Sequence, residues 1–140
     1  MKIEESIKCG FAKKIQPQTE RAKSLFASSE QAIQSAKEII LKENTLKTIF
    51  GESYECLRQY CEAIGYLKGY KFLSHEAITY FIEEILQERE ISVKFDRYRK
   101  LRNQINYYGL NIHKETVAET LQEIPTLLER LKKYSQSSLT

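Results

Sequence analysis

The sequence predicts an all-α fold, an up-and-down antiparallel bundle of four to five helices, and three observations carry that prediction. Turn formers are scarce, with 5 Gly and 2 Pro in 140 residues, and valine occurs only at Val93 and Val117, so a many-stranded sheet lacks its usual residues. Apolar residues recur at helical spacing through most of the chain. The segments between the periodic stretches are short, which sets successive helices antiparallel. The length suits one domain over residues 1–140, with its core over 18–134. A weakly ordered stretch or short helix is expected over 1–16, and a frayed tail over 135–140.

The first long helix is expected over residues 18–42, just after Pro17, with Ala22, Leu25, Ser29, Ala32, Ile33, Ala36, Ile39 and Ile40 on one stripe. The small residues Ala32, Ser35 and Ala36 let a neighbour approach closely. Asn44 or Thr45 can cap a second helix, in which Phe50, Tyr54, Leu57, Cys61 and Ile64 repeat at steps of four and three until Gly65 and Gly69 weaken and end it. Ser74 can cap a third, whose Ala77, Ile78, Phe81, Ile82, Ile85 and Leu86 face inward before a charged run at 87–90. A fourth, over 92–108, turns Phe95, Tyr98, Leu101 and Ile105 inward and stops at Gly109. The fifth begins at Asn111 or His113 and carries Val117, Leu121, Ile124, Leu128 and Leu131 past Pro125, which would bend it or split it.

Composition narrows the functional classes. Hydrophobic residues make up 41% and charged residues 29%, too apolar for a disordered chain and too charged for a membrane span. Residues 1–14 hold no continuous apolar segment, which argues against a secretory signal peptide. The net charge of +3 nominates no partner. Cys9, Cys56 and Cys61 form no C-x-x-C pair, so neither a disulfide framework nor a zinc ribbon is supported and a reducing cytoplasm fits best. Two distant histidines specify no metal site, and no cofactor is called for. Cys56 and Cys61 read as buried thiols.

Charge is concentrated on the fourth helix. The stretch KFDRYRKLR, residues 94–102, places the cations Lys94, Arg97, Arg99, Lys100 and Arg102 around one anion and runs directly into Asn103, Asn106, Tyr107 and Tyr108. Helical geometry brings Arg99, Arg102, Asn103 and Asn106 onto adjoining rows. Arginine there can grip phosphate through two hydrogen bonds, asparagine can orient a ribose or base, and tyrosine can stack on a base. The plain alternative is a solvated basic face balanced by nearby Asp and Glu. His75 reads either as a residue of the capping region or as a side chain aimed into the same cleft as Arg102, and His113 as a loop residue that can fold back.

The run RYRKLRNQINYYG over 97–109 resembles the signature helix of the HEPN domains of prokaryotes. Residues 54–69 and the Ser-His-Glu-Ala of 74–77 are similar to the helices that precede it in that family. The resemblance implies a helical bundle that forms a homodimer, with the Arg-bearing helices of two subunits meeting at a basic cleft. It also implies metal-independent endoribonuclease chemistry, built on an Arg, a polar neighbour and a His four to six positions on. Arg102 and Asn103 match the first two places, and Tyr107 or Tyr108 stands where the His belongs. Proton transfer at a ribose 2′-OH suits an imidazole and not a phenol of pKa near 10, so with Tyr107 in the catalytic set cleavage is expected to be weak or lost. RNA or nucleotide binding through Lys94, Arg97, Arg99, Arg102 and Asn106 is the expected residue of function. The resemblance further implies a minimal nucleotidyltransferase antitoxin as partner, with Tyr107 or Tyr108 as acceptor of a transferred AMP; the structural alternative is aromatic packing beside Gly109. The competing reading is a non-catalytic helical module for protein interaction.

Overall fold

The computed structural model describes residues 2–136. Among them lie six α-helices and two three-residue strands: α1 (Ile3–Lys8), β1 (Ala12–Lys14), α2 (Thr19–Glu38), α3 (Leu46–Lys68), β2 (Tyr70–Phe72), α4 (His75–Glu84), α5 (Arg89–Tyr108) and α6 (Lys114–Gln136). A helical bundle is therefore what the sequence builds, and α3 is its axle. Phe50, Tyr54 and Leu57 of α3 are buried together with Phe81, Phe95 and Ile124 from three other helices. Each such side chain contributes about 1.5–3 kcal/mol by leaving water.

Cross-contacts give the directions. Gln18 donates its N–H to the Tyr66 carbonyl at 3.0 Å, Phe26 meets the Tyr60 ring edge-on at 4.8 Å, and the Ser29 hydroxyl donates to the Cys56 carbonyl at 2.7 Å. These pairs run in opposite senses, so α2 and α3 are antiparallel. Of the three small residues, Ala32 and Ala36 are buried as expected, whereas Ser35 is exposed. In the same way Tyr54 stacks on Phe95 at 5.8 Å and Phe50 tilts against Tyr98 at 6.2 Å, which sets α5 antiparallel to α3. Thr79 of α4 bonds Asp96 of α5 at 3.3 Å across the hairpin that joins them.

Several expectations need correction. Helix α2 ends at Glu38, and Ile40, placed on its buried stripe, is 74% exposed in the connection. Asn44 and Thr45 do not cap α3 through a side chain; they lie in a 3-10 turn, Glu43–Thr45, where the Thr45 hydroxyl serves the Ile40 and Lys42 backbone instead. Pro125 neither splits nor ends α6, which is continuous, and Leu127 joins its buried side. Of the tail, only residues up to 136 are described; 137–140 lie outside the described residues.

The amino-terminal stretch is structured throughout residues 3–14 and is not a single short helix. After α1 the chain extends as β1 and pairs antiparallel with β2, Ala12 opposite Phe72 and Lys14 opposite Tyr70. Tyr70-Lys71-Phe72 alternates at period two, burying its aromatics between α3 and α4. Gly69 makes the junction possible. It holds φ +85° as the left-handed cap of α3, and a Cβ there would lie 2.7 Å from the Ile15 carbonyl oxygen. Glu84 at the end of α4 accepts the Ile3 N–H at 2.7 Å, anchoring α1.

Candidate functional site

Folding the chain back about the α4–α5 connection lays Thr79 on Asp96 and brings His75 opposite the turn of α5 that carries Arg99 and Arg102. Ser74 accepts the Glu76 N–H at 3.2 Å and starts α4, so His75 is held in its first turn. The result is a polar depression of about 460 Å³, lined by Leu73, Ser74, His75 and Glu76 on one side and by Arg99, Arg102, Asn103 and Tyr107 on the other.

The cations of α5 are not equivalent. Lys94 pairs with Glu123 at 2.9 Å and Arg97 with the same carboxylate at 3.4 Å, both toward α6. Arg99 and Lys100 share Asp96 at 2.8 and 3.1 Å. Among the described residues, Arg102 alone of the five cations between 94 and 102 has no carboxylate in ion-pair range; its guanidinium lies over the Tyr54 ring, 5.7 Å from the centroid. Lys94 and Arg97 therefore do not join Arg99, Arg102 and Asn103, which the fold does bring together. Asn106 and Tyr108 are exposed and do not line the depression, whereas Tyr107, 74% exposed, forms part of its rim.

Tyr54 ties the imidazole to this guanidinium. Its hydroxyl lies 3.0 Å from His75 Nδ1. Burial first, eased in part by Arg102 and Arg58, keeps the phenol protonated well above its ordinary range. A buried phenol proton needs an acceptor, and Nδ1 is the one within reach. The arrangement is satisfied when Tyr54 donates to Nδ1, which places the single imidazole proton on Nε2, the nitrogen left for the depression. Burial, then the nearby Arg58 and Arg102 guanidiniums, pull His75 down to about 4, so it is neutral near pH 7.

Arg58 does not line the depression and acts on His75 from α3. It donates to Glu55 at 2.5 Å and to Glu62, so its charge is matched within α3. Burial works against Glu55 ionising, yet the Arg58 hydrogen bond holds its carboxyl below the usual value. What remains open toward solvent is one unmatched guanidinium, one neutral N–H donor and the Asn103 amide, with the exposed Glu76 carboxylate, which accepts the Tyr80 hydroxyl, in the same lining. The three donors suit an anion with several acceptor oxygens.

His75 lies both in the capping region, in the first turn of α4, and in the lining of the depression that Arg102 also lines. The signal lay in hairpin counting: residues equally far from the α4–α5 connection must face each other. Its bond to Tyr54 depends on how α3 packs beneath the hairpin, and no spacing announces that. His113 is exposed and does not enter the depression.

Elsewhere, a second depression of about 420 Å³ between α2, α3 and α6 is floored by Phe26, Ile33, Tyr60 and Leu128 and carries no converging charge of one sign. Cys56 and Cys61 are buried free thiols, and burial pushes Cys56 up to about 11. Among the described residues no three His, Cys, Asp or Glu side chains converge as a metal cluster would require. No described helix is long and apolar enough to cross a membrane. Comparison with family models, with curated proteins and with solved structures finds no match.

Proposed function

We propose that this chain is a HEPN-like protein that binds RNA or nucleotide phosphate at the depression formed by Arg102, Asn103 and His75. In this reading two copies pair so that the depression opens into a shared basic cleft, and the protein is one half of a toxin-antitoxin type pair with a nucleotidyltransferase. The observation that carries it is selective neutralisation: four cations of α5 are spoken for by Glu123 and Asp96, and Arg102, beside His75, is not. An unpaired half-buried guanidinium is costly unless an anion visits it.

Cleavage is weak or lost in this reading. A neutral imidazole whose facing nitrogen already bears hydrogen donates a hydrogen bond but accepts no proton, and Tyr107 on the open rim is a poor base. Tyr107 and Tyr108, 74% and 84% exposed, are accessible to a modifying partner. Together with Leu110, they supply an aromatic edge for a second chain.

The test is fluorescence anisotropy with a labelled RNA at two salt concentrations, with inorganic phosphate as competitor, beside light scattering for the oligomeric state. Binding that weakens steeply with salt, is displaced by phosphate and falls at least tenfold in Arg102→Ala supports the site. Unchanged binding in that variant refutes it. A second reading, a purely structural interaction module, draws on the in-chain pairing of Lys94, Arg97, Arg99 and Lys100; stable self-association with no RNA or nucleotide affinity at moderate salt would favour it.

A further inference from the structure

We infer that the outer face of the β1–β2 ribbon is a docking surface for single-stranded nucleic acid, on which Lys13 and Lys71 hold the phosphate backbone and Phe11 stacks on a base. The ribbon adjoins the Arg102 depression, and the inference rests on the phosphate-binding reading above only for where the rest of the strand goes.

The surface follows from the register. Lys13 stands directly opposite Lys71. The ladder runs one residue past the strands at either end, where Leu73 donates its N–H to the Phe11 carbonyl at 2.8 Å and Ile15 donates to that of Gly69 at 2.9 Å. Alternation at period two then puts Phe11, Lys13, Lys71 and Leu73 on one face and the buried Ala12, Tyr70 and Phe72 on the other. Phe11 and Leu73 are 43% and 51% exposed. Two residues along a strand span about 6.6–6.8 Å and paired strands lie about 4.8 Å apart, so the four side chains make a patch that one nucleotide covers.

Charge sets two lysines of this region apart from the rest. The chain has no acidic residue between Glu5 and Glu20 or between Glu62 and Glu76, and those two stretches, which form the ribbon and its flanks, hold Lys8, Lys13, Lys14, Lys68 and Lys71. Lys8 and Lys68 close the last turns of α1 and α3, where the carbonyl ends favour a cation, and Lys14 lies over the Tyr70 ring at 4.3 Å. Of the bordering carboxylates, Glu5 sits in the first turn of α1, Glu20 pairs with Lys23, Glu62 pairs with Arg58 and Glu76 accepts the Tyr80 hydroxyl. Among the described residues, Lys13 and Lys71 have no carboxylate in ion-pair range. Like charges directly opposite on paired strands repel, and an anion laid across the pair removes that repulsion.

The aromatic ring beside the lysines selects among polyanions. An unpaired strand brings phosphates to Lys13 and Lys71 and a free base face to Phe11; a duplex keeps its bases stacked inside, and an acidic peptide or a lipid headgroup has no base to stack. Leu73 belongs both to this face and to the lining of the Arg102 depression, so a strand with one phosphate at Arg102 passes directly onto the ribbon.

The test is fluorescence anisotropy of the full chain with a labelled dodecaribonucleotide of mixed, non-self-complementary sequence, titrated at several salt concentrations. Affinity should fall about tenfold in Lys13→Gln/Lys71→Gln, and the slope of log affinity against log salt should become shallower by about 1.4, the release expected for two phosphates of a single strand. This variant should melt no lower than the wild type, since it relieves a repulsion, and a loss of binding is then not a loss of fold. Phe11→Leu should weaken binding about fivefold or more, and Phe11→Tyr should bind as the wild type does. Unchanged affinity and salt slope in the lysine variant overturn this inference, and leave the phosphate site standing where Arg102→Ala still weakens binding; the reverse pattern keeps the ribbon and removes the depression. Equal or tighter binding of the same strand annealed to its complement, of polyglutamate or of phosphatidylserine vesicles overturns the assignment to a single strand. No binding of the dodecamer by the wild type removes both readings.

Discussion

Lowering the pH should destabilise the fold in a window set by His75. Its folded value, near 4, lies below the ordinary histidine value of about 6.5 because burial, then Arg58 and Arg102, disfavour the imidazolium. A base depressed in this way contributes its full stability above the unfolded value and loses it as pH falls from about 6.5 toward about 4, since the unfolded chain takes the proton first. Between those two values, linkage gives a loss of about 2 kcal/mol by pH 5. The ring is only half-buried and solvent screens the surrounding guanidiniums, which brings the expectation to about 1 kcal/mol. The carboxylates held below their usual range, Glu55, Asp96 and Glu123 among them, give way at lower pH and leave the window clear. Urea unfolding followed by circular dichroism at pH 7, 6 and 5 measures the slope for the wild type and for His75→Gln. The wild type should lose about 1 kcal/mol and the variant little. Equal slopes, or a flat wild-type profile, would show that His75 is not held neutral by this cluster.

Three further substitutions probe the frame of the site. Gly65→Ala should cost about 1 kcal/mol although alanine is the better helix former, because its Cβ would fall 2.4 Å from the Phe72 ring, itself wedged edge-on against Phe81; Phe72→Leu in the same chain should restore the loss in a thermal-melt cycle. Gln87 sits at φ 57° between α4 and α5, so Gln87→Gly should raise stability by about 0.5–1 kcal/mol, and a lower melting temperature would contradict that. Glu123→Gln should lose about 1–2 kcal/mol in urea titration, because Tyr98 donates to this carboxylate and Lys94 and Arg97 pair with it at the α5–α6 seam; a neutral effect would mean the hub is ornamental.

The long helices were legible because a buried stripe repeats over about four turns, as in Ala22, Ser29, Ile33 and Ala36, and because Gly69 and Gly109 both stop helices in the left-handed conformation. Three-residue strands offer one alternation each, too little signal to separate β1 and β2 from connecting chain. Ile40 was misplaced because periodicity cannot see where a helix stops: Ile39 turns extended at ψ 130° and rotates the next side chain out to water. Proline's cost depends on context, and in α6 the stripe of Val117, Ile124 and Leu131 stays fully buried on both sides of Pro125, holding the helix in one piece. The charged helix was visible as a composition, but which of its cations are spent depends on Glu123 and Asp96, and only the packed bundle fixes those pairings.

Pairing within the chain is what converts a basic helix into a site. A run of five cations on a free helix would attract any polyanion without discrimination. Asp96, one turn ahead of Arg99 and Lys100 on the same helix, takes both, and Glu123 reaches from α6 to take Lys94 and Arg97. Arg102 is spared because the floor beneath it is the face of Tyr54, an attractive surface that leaves its hydrogen-bond donors free. The same residue supplies the hydroxyl that orients His75. One fully buried tyrosine of the central helix thus holds a cation over its ring and an imidazole at its hydroxyl, two groups that the hairpin of the consecutive helices α4 and α5 brings together.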